Sequence, residues 1–441
     1  MAMQSLKWLT VQTPQGSNLG KEFRCRIKKG DLLLGATILC LSFLALRSPG
    51  TSDIAKAFVP WVEGALKHGF ISNYQNQVTA YPPAYILIPF LLAKYLGIQA
   101  FWAYKTFLVI SLLLVIYAGS KALGLRMGLI LGLIFIYPSL VLGYGDSLIV
   151  AILLLIFINL ESFKYYKVGV LVGLVISIKF TPIIIIPIII IYIFRKDNFS
   201  FPKSLSIIKL GNLTKTFMGF LLWEIPLVLF TGLEMFVNNL KLALLNGYLS
   251  GNAPNMGWII TKIKMGPNSI PSYVGDTDLI RFIYIDVHSG LYRGMKFVAM
   301  LVAVFLIMKS FQFENSLENN ALLISLTLFA YYEFAPGVHE NHLTLAIPFA
   351  LILVKSQEKR RKILGFSLIL ISLVNLFSFY TLKGNYNESR IVFGMDFSLA
   401  LATIETSYAI VLVGLYLVNS LNLTHGQGDG ENGGGIKIPR L

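Results

Sequence analysis

Apolar residues recur in runs of membrane-spanning length, separated by short polar interruptions, from about residue 31 to residue 419. The runs cover 31–47, 99–119, 127–142, 147–160, 168–180, 182–195, 214–232, 290–308, 321–336, 342–355, 363–380 and 397–419. A helix needs about 20 apolar residues to cross the hydrocarbon core upright. Several runs are shorter, so they cross only where helix continues into the flanks or the bilayer thins. The pattern predicts an all-α fold, a polytopic transmembrane bundle of about twelve spans.

Composition supports that reading. The 441 residues are 55% hydrophobic and 13% charged, with a mean hydropathy of +0.69. Soluble proteins carry about 25% charged residues, so a water-soluble enzyme is excluded. The net charge of +15 would suggest nucleic acid in a soluble chain, but in a membrane protein it reports orientation, because Lys and Arg gather in cytoplasmic loops. No nucleic-acid partner is expected. Cys25 and Cys40 are too few for a disulfide framework or a thiolate metal site.

Charge also fixes the expected topology. A further apolar stretch, Tyr81 to Gly97, would make a thirteenth span, but counting it would turn the basic cluster Lys355–Lys362 outward, against the positive-inside tendency. Left out, it lies along the outer interface, its Tyr-Pro-Pro start breaking any helix that enters from the loop. Both termini are then cytoplasmic: a basic segment over 1–30 ahead of a retained first helix, the transmembrane domain over 31–419, and a flexible, glycine-rich tail over 420–441. Two long external loops, 48–98 and 233–289, and short external corners at 143–146, 337–341 and 381–396 complete the arrangement.

The unusual polar residues gather on the expected external side. His68, His288, His339 and His342 fall there, two of them in Ala335-Pro-Gly-Val-His-Glu-Asn-His342. Asp53 ends the turn after the first span, and Asp146 closes the corner Gly143-Tyr-Gly-Asp146. Either aspartate suits a helix cap, and either suits chemistry at the lipid boundary. Lys105 and Lys179 sit near the outer ends of apolar helices, where they snorkel to the surface or fix a phosphate. Glu224, Glu333 and Glu405, within or near spans, keep a proton-coupled transport reading open. His339 and His342, three apart, suit one helical face, but spacing assigns no third metal ligand. No Walker loop, dinucleotide fingerprint or Ser-His-Asp signature is present.

Four landmarks occur in a telling order: Asp53 after the first span; Tyr81-Pro-Pro83 late in the first loop; Gly143–Asp146 followed by a helix pair ending in Lys179-Phe-Thr-Pro182; and the late corner Val338-His-Glu-Asn-His342. Over roughly residues 30 to 355 the chain resembles the glycosyltransferase C superfamily, multispanning enzymes that take a sugar from a polyprenyl-phosphate carrier. The first loop has Ser-Asp where some members have Asp-x-Asp, and Tyr144 stands where Gln is usual, so mannose and glucose both stay open as the donor sugar. The resemblance implies an inverting, metal-independent hexosyl transfer with no cofactor at the external or lumenal face; abundant Ile, Lys and Asn with few cysteines point to a prokaryotic or archaeal chain, for which that membrane is the plasma membrane. It makes Asp53 the general base, Lys105, Lys179, His339 and Arg293 the holders of the donor phosphate, and Tyr81, Asp146, Glu340, His342 and Trp258 substrate contacts. The acceptor is a glycolipid, a lipid-linked glycan or a protein. In the second long loop, Tyr248, Trp258, Tyr273, Asn246, Asn252 and Asn255 suit either a sugar-facing lid or interfacial anchors. The competing class is a secondary transporter or flippase of a lipid-linked sugar, although the two halves show no persuasive internal repeat.

Overall fold

The computed structural model describes residues 28–418, apart from 52, 77–80, 196–206, 246, 252, 266–284, 314–315, 381–390 and 393–394. The basic amino-terminal segment, the glycine-rich tail, most of the 381–396 corner, and Asn246, Asn252 and Tyr273 therefore lie outside the described residues.

The chain is an all-α, multi-pass membrane protein. Each apolar run forms helix, with bounds within about four residues of the hydrophobic pattern except for the run 214–232, whose helix starts earlier, at Ile207. Among the described residues, five helices are long and apolar enough to cross a bilayer: Ala100–Leu123, Leu210–Thr231, Gly290–Ser310, Lys359–Ser378 and Phe397–Leu417. The other apolar helices are shorter, and proline accounts for several of them. Pro138 lies in a π-helical turn, Ile136–Val141, and Pro182 lies in a 3₁₀ turn, Thr181–Ile185. A proline has no N–H to return to the preceding turn, so the α-helical ladder is interrupted there.

Burial orders the bundle from inside out. Asp146–Glu161 and Leu317–Phe334 are buried over most of their lengths and form its centre. Leu210–Thr231 and Gly290–Ser310 bury few of their residues and lie at its apolar periphery, as lipid-facing helices do. Among the described residues two short strand ladders form, Ser250–Gly251 parallel with Val338–His339, and Ile391–Val392 antiparallel with Met395–Asp396. The first joins the second long loop to the histidine corner.

Helices in lipid associate by close packing rather than by expelling water, so small residues at contacts matter. The helices Tyr165–Ile178 and Ile207–Thr231 meet at such a contact. A β-carbon on Gly169 would lie 1.8 Å from the Thr216 carbonyl oxygen, and one on Gly219 would lie 2.1 Å from that of Tyr166. Gly169→Val must therefore push the two helices apart, at a cost on the order of 1–3 kcal/mol. Thermal unfolding of the detergent-solubilised protein is expected to move down accordingly; an unchanged melting temperature would show that the two backbones do not touch.

Candidate functional site

Three separate segments build one polar corner at the end of the bundle. The first is the turn after helix Lys29–Ala45. Ser48 Oγ donates to the Val141 carbonyl at 2.9 Å, and the Thr51 amide donates to the Leu142 carbonyl at 2.9 Å. These bonds seat the turn against the Gly143–Asp146 corner. Gly143 is required there: its φ is +89°, and an added β-carbon would sit 2.1 Å from Ile54 Cδ1. Past Asp53 the chain enters a π-helical turn, Ile54–Phe58, in which the Val59 amide reaches back five residues to Ile54. Pro60 lies just beyond and has no N–H to return, which favours the widened turn. Asp53 makes no capping hydrogen bond. Its side chain instead lines a cavity of about 300 Å³.

The second segment brings a cation. Helix Tyr165–Ile178 stops at Lys179, whose backbone is extended. Lys179 Nζ pairs with Asp146 Oδ1 at 2.9 Å, with both side chains largely out of solvent. Asn341 Nδ2 donates to the other Asp146 oxygen at 2.6 Å. Asp146 opens helix Asp146–Glu161, where an acidic group also suits the helix dipole. Its oxygens, however, serve Lys179 and Asn341. Lys179 lines the cavity; Asp146 stands behind it and holds the ammonium in place.

The histidine corner closes the site. His339, Glu340, Asn341 and His342 all line the cavity. His339 Nε2 meets the Tyr248 hydroxyl at 2.5 Å, so this loop tyrosine does reach the site. His342 Nδ1 accepts the His339 backbone N–H at 3.4 Å. The corner is a short strand followed by a 3₁₀ turn, His342–Ala346, so the two imidazoles do not share a helical face as their spacing suggests. Among the described residues no group of three or more His, Cys, Asp or Glu gathers as a metal site. Glu340 Oε1 accepts hydroxyls from Tyr144 and Tyr380, each at 2.7 Å, while Oε2 is buried without a partner. Phe180, Ile183, Ile184, Ala243 and Leu244 form an apolar wall of the same cavity.

Burial dominates the electrostatics. It raises the Asp53 carboxyl above the ordinary aspartate range, and the nearby Glu340 charge adds to this, against opposing pulls from His339 and Lys179. Burial raises Glu340 as well, although its tyrosine hydrogen bonds and Lys179 favour the ionised form. His339 is pushed down to about 4, chiefly by burial and then by the Lys179 charge. At neutral pH the cavity is thus lined by one cationic group, the Lys179 ammonium of the ion pair, and by a neutral His339 imidazole rather than a second cation.

Three sequence-predicted contacts fall elsewhere. Lys105 is buried, and its Nζ donates to the Leu140 carbonyl at 2.9 Å, bracing the π-helical turn of the neighbouring corner rather than facing the cavity. Arg293 is exposed and hydrogen-bonds His288 at 3.1 Å. Trp258 is fully buried, its indole N–H donating to Ser398 at 2.9 Å, so it is a core residue and neither lid nor surface anchor. Asp53, Tyr81, Lys179, His339, Glu340 and His342 do line one cavity. Sequence reasoning missed Asn341, Tyr331 and Tyr380. Asn341 lies inside the quoted corner and gave a signal; Tyr380, at the end of an apolar helix, looked like any interfacial tyrosine.

Comparison with protein-family models and with curated proteins finds no match to this chain. The site's own chemistry therefore carries the functional argument. His339 is expected to stay neutral through physiological pH, its ring titrating near pH 4 by NMR of labelled histidine; a midpoint at 6 or above would mean that the corner is open to water.

Proposed function

We propose that this chain is an integral membrane glycosyltransferase of the glycosyltransferase C type, with about twelve spans and both termini cytoplasmic. It moves a hexose, mannose or glucose, from a polyprenyl-phosphate carrier to a hydroxyl acceptor on a glycolipid, lipid-linked glycan or protein at the external face. The observation that carries this reading is that Asp53, Lys179 and His339, from three distant segments, line one cavity that also has an apolar wall of Phe180, Ile183, Ile184, Ala243 and Leu244. A carboxylate, a fixed ammonium and a greasy wall are what a sugar attached to a lipid phosphate requires.

In the proposed reaction Asp53 takes the proton from the acceptor hydroxyl as its oxygen attacks the anomeric carbon. The bond from that carbon to the phosphate oxygen breaks on the opposite face, which inverts the configuration. The polyprenyl monophosphate leaves as an anion, so it needs charge stabilisation rather than a proton. Lys179 supplies that charge, and the His339 ring N–H is a neutral donor beside it. A monophosphate needs no divalent ion when such groups are preorganised around it. Glu340, with one oxygen clamped by two tyrosines, presents the other to a sugar hydroxyl.

Transfer from synthetic polyprenyl-phosphate-mannose and -glucose by the purified protein tests the reading. Asp53→Asn is expected to reduce turnover by about 10²–10⁴-fold, the usual worth of a general base; near-normal turnover removes Asp53 from the chemistry. In the wild type, kcat/KM should rise with pH as Asp53 loses its proton, with an acid limb above the ordinary aspartate range because the folded-state pKa is raised. A rate that falls as pH rises through neutrality contradicts that role. Movement of the lipid-linked sugar between leaflets, with no glycosidic product, favours the flippase.

A further inference from the structure

A second polar cluster, which the proposed transfer does not use, lies among the helices that carry the site's later half. Glu333 is on Leu317–Phe334, Asn375 on Lys359–Phe379 and Glu405 on Phe397–Leu417, and all three are fully buried. Thr406 Oγ1 donates to Glu333 Oε2 at 2.8 Å. Asn375 Nδ2 donates to Glu405 Oε2 at 3.0 Å and to the Tyr332 hydroxyl at 2.8 Å. One oxygen of each carboxylate is thus satisfied. The remaining atoms, Glu333 Oε1, Glu405 Oε1 and Asn375 Oδ1, have no partner. Three buried acceptors, on side chains that these hydrogen bonds and the Glu333–Glu405 charge interaction link into one cluster, are left without a donor, and each unmet polar atom in such an interior is costly.

The charges are equally unmatched. Glu333 lies within electrostatic reach of Glu405, and among the described residues no cationic side chain acts on either carboxylate. The ion pairs of the described residues lie elsewhere, at Lys179–Asp146 and around Arg361. Two carboxylates and an amide carbonyl form an all-oxygen, hard ligand set, which disfavours soft transition metals. With only two acidic groups, the cluster also falls short of the three or more His, Cys, Asp or Glu expected of a metal centre.

We propose that Glu333, Glu405 and Asn375 bind a small monovalent cation of sodium size, with a single proton held on the carboxylate pair, so that both negative charges are neutralised. The cation pins three helices at once. Helix Leu317–Phe334 leads into the histidine corner, and helix Lys359–Phe379 leads into Tyr380, whose hydroxyl positions Glu340. The site is structural and does not depend on what the cavity binds.

The test uses the full purified chain in detergent or nanodiscs, melted at fixed pH and equal ionic strength in sodium chloride, potassium chloride or N-methylglucamine chloride. The unfolding temperature is expected to rise saturably with sodium, by a few degrees, as for any ligand that binds only the folded state. The double variant Glu333→Gln/Glu405→Gln, which removes both charges, should abolish that dependence and Asn375→Ala should weaken it, and equilibrium dialysis with ²²Na⁺ should find an ion on the wild type and none on the double variant. If a variant fails to fold, the wild-type salt titration and dialysis decide alone. Identical melting in all three salts with no bound ²²Na⁺ overturns the proposal and leaves protons alone to neutralise the pair. A sodium shift that survives in the double variant overturns it as a bulk salt effect.

Discussion

The ion pair between Lys179 and Asp146, braced by Asn341, is the constraint on which the site depends. It joins the end of one helix, the start of another and the histidine corner, residues more than thirty and almost two hundred positions apart. Removing two charges from water is expensive, and their mutual attraction offsets that cost only when geometry is good and the remaining lone pairs are satisfied. Here one carboxylate oxygen takes the ammonium and the other takes the Asn341 amide. Asp146 is thereby fully used, and Lys179 stays charged at the cavity wall.

The rest of the corner follows from that fixed point. The turn carrying Asp53 is tied to the same Gly143–Asp146 segment through Ser48 and Thr51, so the carboxylate and the ammonium reach one cavity from different helices. Tyr144, on that segment, bonds Glu340 and draws in Tyr380. Two π-helical turns adjoin this junction along the chain: Ile54–Phe58 follows Asp53 directly, and Ile136–Val141 comes just before the Gly143–Asp146 corner. Widened turns of this kind recur at functional sites because they displace side chains from regular helical positions.

Much of this was legible in the chain. Hydrophobic runs located the helices because lipid forces every backbone polar group to be satisfied within the segment. Asp53, Lys179 and the His339–His342 corner stood out because charge at the edge of an apolar run is costly. The same rule selected Lys105 and Arg293, which the fold uses differently: Lys105 holds a backbone carbonyl and Arg293 a histidine. Edge position identifies costly residues but not the direction in which they point. Tyr380 and Tyr332 were invisible because tyrosine at a helix end is ordinary in membranes, and their partners, Glu340 and Asn375, lie on other segments. Likewise, the spacing of His339 and His342 suggested a shared helical face, but the corner pairs with Ser250–Gly251 as a strand, a long-range contact that no local pattern encodes.

The proposed reaction is a single displacement at the cavity that Asp53 and Lys179 share. The most direct measurement is the anomeric configuration of the product formed by the purified wild-type protein, read by NMR against that of the donor it accepts. Inversion is the predicted result, since in the proposed reaction base and leaving group act on opposite faces of the sugar. A product with retained configuration would contradict it.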